Sequence, residues 1–322
     1  MIDYSVIIRT TGKAGEKYRK LLQSISALEP QPKEVIVVLP EGYEPPADQL
    51  GWETFYHCPK GMVTQRLYGI AQCKTPYALI SDEDIAFGPD FVQKLHAPLV
   101  TGEYGISAGP LPEFFPGKGL PTIMSVLTGA SGPSIFHKRR YNSVWKTTGY
   151  SFNRKLKPGS LYETQSAPWT CFYADIQKLR SIRFEDELWL DKNGYSAHDD
   201  TCMFYKAWLR GIKSVIVADA PYQHLDAKTS TRGNMEKALF ATGFNDVVFW
   251  HRYLSGGNLV ERTWSKTCIH YRLMTQKLYN HLNKLRGRMS DEEIAAFESG
   301  IKAGWEWIKT EEYQTLPSVL EE

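Results

Sequence analysis

Tyr77-Ala78-Leu79-Ile80-Ser81-Asp82-Glu83-Asp84 is the stretch on which the fold turns: a short apolar run that ends in three consecutive acids. Tyr77–Ile80 has the length and apolar character of a buried strand, and Asp82-Glu83-Asp84 stands directly at its carboxyl end. Adjacent carboxylates repel one another, and nothing nearby in sequence neutralises them. A bound Mg²⁺ or Mn²⁺ would resolve that conflict, because hard cations take carboxylate and phosphate oxygens together. Strand alternation places Asp82 and Asp84 on one side and Glu83 on the other. A solvated turn, or an N-cap for the next helix, accounts for the same residues without a ligand.

The flanks alternate strand and helix. Upstream, Ser5–Ile8 is a run suited to a buried parallel strand, and Tyr18, Leu21, Leu22, Ile25 and Leu28 follow at helical spacing until Pro30. Val35–Val38 is a second strand, broken by Pro40-Glu41-Gly42, and Thr54–His57 a third. Val63, Leu67, Ile70 and Ala71 mark another helix; after the acids, Gly88-Pro89 opens a helix carrying Phe91, Val92, Leu95 and Leu99. This rhythm predicts an α/β fold with a mostly parallel sheet and helices on both faces. Ligands of such sheets sit outside the carboxyl ends of the strands.

Residues 105–165 are rich in Gly, Pro and Ser, with weak periodicity, and read as a long functional loop region. From Phe114 through Tyr162 there is no acid, against eight basic residues: Lys118, Lys138, Arg139, Arg140, Lys146, Arg154, Lys155 and Lys157. Patterning resumes at Trp169–Tyr173, with a helix near Thr201–Arg210 and a strand at Ser214–Ala218. Met203, Phe204, Ala207 and Trp208 face the core of that helix; Lys206 and Arg210 are read as facing outward. From Met235 the chain reads as helical to its end. There Ser290 and Glu293 form a capping box, and Ile294, Phe297, Ile301, Trp305 and Ile308 form one apolar stripe. The expected organisation is a domain over 1–234, split near 104/105, and a helical C-terminal extension over 235–322.

Composition narrows the function classes. The 322 residues carry 38 basic and 36 acidic side chains, a net charge of +2, which argues against a nucleic-acid partner. Five cysteines without a C-x-x-C pair speak against a disulfide framework. The start MIDYSVIIRTTG has no secretory signal pattern, and no run of 18 apolar residues occurs. The expected setting is cytoplasmic, with no transmembrane segment and with peripheral membrane association left open.

Two further clusters carry chemistry. His198-Asp199-Asp200 opens the 201–210 helix, where two aspartates suit either the helix dipole or a general base aimed at an acceptor hydroxyl. His224 follows a strand and is either a satisfied structural group or a neutral imidazole ligand to the metal of Asp84. Other patterns fail: 11–17 lacks the phosphate-loop register, and no G-x-G-x-x-G, G-x-S-x-G or zinc-spaced Cys/His set is present.

The order of these pieces resembles the inverting family 2 of nucleotide-sugar glycosyltransferases, which have the A-type, Rossmann-like fold. Tyr4–Thr10 looks like the family's opening strand, and Glu34–Val38 like its second. Gly61–Ile70 is similar to its G-x-x-x-A-R-N-x-G-I segment. Asp82-Glu83-Asp84 with Pro89 is similar to its D-x-D motif, and Asp199–Lys206 through Gly211 and Lys213 to its acceptor-side motif. Asp199 stands where the family has glutamate, and Lys206 where it has arginine. Ala220–His224 corresponds loosely to its closing element. The D-D-G-S after the second strand is here Leu39-Pro40-Glu41-Gly42, leaving only Glu41 as a substitute. The likeness covers roughly residues 4–225.

That resemblance implies a nucleotide-sugar donor, leaning to UDP, a divalent Mn²⁺ or Mg²⁺, and a glycan, lipid-linked or other hydroxyl acceptor. It implies Asp84 and His224 at the metal, Asp82 at the ribose or metal shell, and Arg9, Thr10, Glu41 and Arg66 around the donor. Asp200, with Asp199 as the neighbouring alternative, would be the base. One base without an enzyme nucleophile implies a single displacement with inversion. A nucleotidyltransferase, and a non-catalytic protein binding nucleotides or single-stranded nucleic acid through 114–162, are the rival readings.

Overall fold

The computed structural model describes residues 2–135, 138–226 and 235–320. Its first part runs β1 (Tyr4–Arg9), α1 (Glu16–Ser26), β2 (Glu34–Pro40), β3 (Thr54–Cys58), α2 (Met62–Gln72), β4 (Tyr77–Asp82), β5 (Ile85–Phe87), α3 (Phe91–Val100) and β6 (Tyr104–Ala108). The expected strands and helices of this part are all present. The middle holds α4 (Leu120–Leu127), β7 (Ser131–Pro133), β8 (Asn142–Val144), β9 (Tyr150–Phe152), β10 (Leu161–Thr164), β11 (Cys171–Asp175) and α5 (Ile176–Ser181). Then come α6 (Asp199–Leu209), β12 (Lys213–Val217), β13 (Tyr222–His224), α7 (Met235–Phe249), α8 (Leu259–Leu285), α9 (Asp291–Trp307) and α10 (Glu311–Gln314).

The main sheet has the order β10-β12-β6-β11-β4-β1-β2-β3. β1 to β4 pair in parallel, and β6 pairs with β12 in parallel. β11 runs against both β4 and β6, and β10 against β12. Six strands therefore share one direction and two are reversed, so the sheet is mostly parallel, as expected. Alternation along β1 divides the core: Val6 and Ile8 pack with the apolar faces of α1 and α3, whereas Ile7 packs with those of α2 and α6.

Residues 105–165 are not one loop. β7, β8 and β9 form a separate three-stranded sheet beside α4. Each strand is only three residues long, too short for alternation to register in the sequence.

The helices from Met235 onward share the core of the α2 and α6 face: Phe244, Val247 and Phe249 of α7 and Phe297 and Ile301 of α9 are continuous with Ile7 and Ile80. α7 and α9 approach through glycine. A Cβ on Gly300 would lie 2.0 Å from the Phe240 carbonyl oxygen, and one on Gly243 2.3 Å from that of Phe297. The Ser290–Glu293 capping box is formed. Among the described residues no helix is long and apolar enough to cross a membrane.

Candidate active site

Parallel pairing of β1 with β4 sets Arg9 directly beside Asp82. Its guanidinium takes both carboxylate oxygens, Nε to Oδ1 at 3.1 Å and Nη2 to Oδ2 at 3.0 Å. Arg66, on α2, reaches the same carboxylate from the other side with Nη2, at 2.9 and 3.1 Å. Its Nη1 donates to Asp199 Oδ2 at 2.7 Å, Nη2 donates to the Trp169 carbonyl at 3.0 Å, and its guanidinium lies 4.7 Å over the Trp169 ring. One buried side chain thereby ties α2, β4, α6 and the segment before β11 together. Burial alone would push the Asp82 carboxyl up, but Arg66 and Arg9 hold it below the usual carboxylate range.

The three acids therefore fan apart. β4 ends at Asp82, and the chain turns before β5, so alternation does not extend to Asp84. Glu83 accepts hydrogen bonds from Thr10 Oγ1 and from the Thr11 backbone N–H, the latter at 3.1 Å. Asp84 faces His224, Nε2 to Oδ2 at 3.5 Å, because β5 pairs with β13. The repulsion left open by the sequence is relieved at Asp82 by guanidinium groups, which occupy both of its oxygens. Among the described residues, no three His, Cys, Asp or Glu side chains converge on a metal position. Asp84 and His224 form a carboxylate–imidazole pair, the two residues here that would hold a divalent cation such as Mn²⁺.

Two cavities open at the carboxyl ends of the strands. The first, about 550 Å³, is lined by Asp82, Trp169, His198, Asp199 and Asp200 and roofed by Phe114 and Tyr150. The second, about 490 Å³, lies against Arg9, Thr10, Lys13, Tyr43, Lys60 and Glu83. Met62 lines both. In the second cavity Lys13 and Lys60 sit 4.9 and 5.1 Å over the Tyr43 ring. Glu41 is not brought in: it is exposed and lines neither cavity, because the turn at Gly42, φ 77°, carries the chain past it to Tyr43.

Asp199 and Asp200 open α6 on the first cavity. Asp200 Oδ1 accepts from the Thr201 backbone N–H at 2.6 Å, and it makes no ion pair among the described residues. Burial raises both carboxyls and the two titrate together; Asp199 is pushed up to about 6 despite Arg66. The preceding His198 takes the left-handed backbone conformation, φ 67°, and its Nε2 meets Asp246 Oδ1 of α7 at 3.0 Å. Burial alone would lower that imidazole; Asp246 raises it.

The sequence reading missed Tyr43, Trp169 and Asp246. Asp246 lies in a helix buried on most sides, so periodicity carried no signal for it. Trp169 Nε1 and Arg66 Nε are buried without a hydrogen-bond partner among the described residues, and both side chains line the first cavity. Lys206 does not face outward. It is fully buried, 2.9 Å from Glu187 and 3.2 Å from Asp186, and Arg252 meets Glu187 from the far side. The segment at Phe184–Asp191 covers that flank of α6, which helical spacing alone could not reveal.

No protein-family model matches the chain, and no curated protein sequence does. Solved structures do resemble it. S. aureus TarS 1–349 in complex with UDP-GlcNAc matches with a TM-score of 0.52 at 12% identity, over 94% of this chain and 80% of that one. Another crystal structure of the same TarS fragment gives 0.50 at 14%, over 92% and 79%. GalNAc-T7 with UDP, GalNAc and Mn²⁺ gives 0.51 at 9%, over 85% of this chain and 56% of that one. The chain has the A-type glycosyltransferase fold. On this glycosyltransferase fold, both cavities lie outside the carboxyl ends of β1 and β4, where open α/β sheets bind their ligands.

Proposed function

We propose that this chain transfers a sugar from a nucleoside-diphosphate donor, with UDP favoured, to an acceptor hydroxyl, in one displacement that inverts the sugar carbon. The observation that carries this reading is Asp200: a half-buried carboxylate on the first cavity without an ion pair among the described residues, beside an Asp199 held by Arg66. Asp200 takes the hydroxyl proton as the acceptor oxygen attacks the sugar carbon, and the bond from that carbon to the diphosphate breaks. Asp199, Arg66 and Asp82 form the fixed frame that orients the base. Tyr43, Lys13 and Lys60 provide an aromatic face and positive charge for the nucleotide in the second cavity. Asp84 and His224 would hold a divalent cation, which when bound supplies positive charge at the leaving diphosphate. The UDP preference rests on TarS and GalNAc-T7, whose structures carry UDP-GlcNAc and UDP. Five free, buried thiols fit a reducing cytoplasmic setting.

Thermal shift with UDP and GDP, each with and without Mn²⁺, tests the reading. UDP should raise the melting temperature, more with Mn²⁺ than in EDTA. No shift with either nucleotide in any condition would remove the donor assignment.

A further inference from the structure

A third cavity, about 1,100 Å³ and the largest of the three, takes no part in the site above. Six cations line it: Lys118, Lys138, Arg139, Arg154, Lys155 and Lys157. None of them forms an ion pair among the described residues, and 114–162 contains no acid to supply one locally. Its apolar surface comes from Ile123, Phe152 and Leu161.

One wall is α4, and α4 is built the wrong way round for a helix on a water-facing surface. Its sequence, Leu-Pro-Thr-Ile-Met-Ser-Val-Leu, is predominantly apolar, yet none of its residues is buried. Leu120, Ile123, Val126 and Leu127 are 65, 55, 45 and 54% exposed. An amphipathic surface helix turns such residues inward. At its carboxyl end, the Leu127 carbonyl accepts from Tyr271 Oη of α8 at 2.5 Å. Met274 and Leu278 follow Tyr271 on the same helix face, and both are exposed, so the apolar surface continues onto α8.

An exposed apolar helix alone would suit a second copy of the chain, and a basic groove alone would suit free phosphate. Side by side they have the makeup of a surface that meets anionic lipid, where apolar side chains enter the acyl boundary and cations neutralise headgroup phosphates. We propose that α4 and the basic groove beside it dock the protein on an anionic membrane surface. α4 also contributes Ser125 to the first cavity while Thr122 and Ile123 line the groove, so docking there sets the candidate active site next to the lipid. The docking itself does not depend on the transfer chemistry proposed above.

The test is sedimentation of the full chain with phosphatidylcholine vesicles, with and without phosphatidylglycerol. The chain should pellet with the anionic vesicles far more than with the neutral ones, and less as salt rises. Neutralising Lys138, Arg139 and Lys155 together to Gln should weaken partitioning about a hundredfold, since each charge near an anionic surface contributes about fivefold. Ile123→Ser with Leu127→Ser should also weaken it, and unchanged melting of both variants would exclude unfolding as the cause. Equal binding to neutral vesicles, or full competition by inorganic phosphate, would overturn the proposal. So would no vesicle binding, with or without a dimer in ultracentrifugation that Ile123→Ser dissolves.

Discussion

Arg66→Met is the substitution that most directly probes how the site is held together. It removes a buried guanidinium that serves Asp82, Asp199 and the Trp169 carbonyl at 2.7 to 3.1 Å. Arg9 still pairs with Asp82, so Asp199 becomes the uncompensated buried carboxylate. Breaking a buried pair by deleting one partner costs about 3–5 kcal/mol, a large share of a domain's total of about 5–15 kcal/mol. The loss must also depend on pH. In the parent chain the folded Asp82 carboxyl lies below its unfolded value, so its pairing stabilises above that unfolded value and is lost on acidification. In the variant, the orphaned Asp199 carboxylate of the folded state takes up a proton before that of the unfolded chain. The two stability curves should therefore converge as pH falls. Urea denaturation at about pH 7.5 and about pH 5 measures both effects, and the gap should be clearly smaller at the lower pH. Arg66→Lys should recover only part of the loss, because an ammonium cannot span two carboxylates as a planar fork does. A cost below about 1 kcal/mol, the range of an exposed pair, or a cost independent of pH, would refute the reasoning.

Asp84→Asn should weaken UDP binding by calorimetry when Mn²⁺ is present and change it little in EDTA; equal weakening in both would place Asp84 away from any cation. Transfer should rise with pH through an acid limb above the usual carboxylate range, because burial raises the Asp200 carboxyl and the base works only when deprotonated; a limb at or below the ordinary aspartate value would count against it. Gly300→Ala should destabilise by at least about 1–3 kcal/mol, since its Cβ would meet the Phe240 backbone oxygen at 2.0 Å. Gly256→Ala, with nothing within 4 Å, should stay near neutral in the same denaturation series.

The strands of the first hundred residues were legible because Ser5–Ile8, Val35–Val38 and Tyr77–Ile80 are apolar runs between helices of clear period, a local signal that tertiary packing reinforces. The strands β7, β8 and β9 were not, because three residues carry no period. In the site, sequence singled out Arg9, Arg66, Asp82, Asp84, Asp199, Asp200 and His224. It could not show that the first two neutralise Asp82, because ion pairing between residues 73 or 16 positions apart depends on strand register and helix placement. Asp82 and Asp84 were read as one side of a strand, yet the turn after β4 sends them to different partners. Lys206 was misplaced for the same reason: its acidic partners come from a segment that no helical wheel includes.

Asp200, as proposed, is the base of a sugar transfer. The measurement that tests it most directly is transfer from UDP-sugars to a glycan array by the parent chain, Asp200→Asn and Asp199→Asn. Asparagine keeps the size and the capping ability of aspartate, so folding should change little. Deleting a general base costs roughly 10²–10⁴-fold in rate. Asp200→Asn should retain Mn²⁺-dependent UDP binding and lose at least about a hundredfold in transfer. Near-normal transfer by Asp200→Asn, with Asp199→Asn inactive, would contradict it and make Asp199 the base.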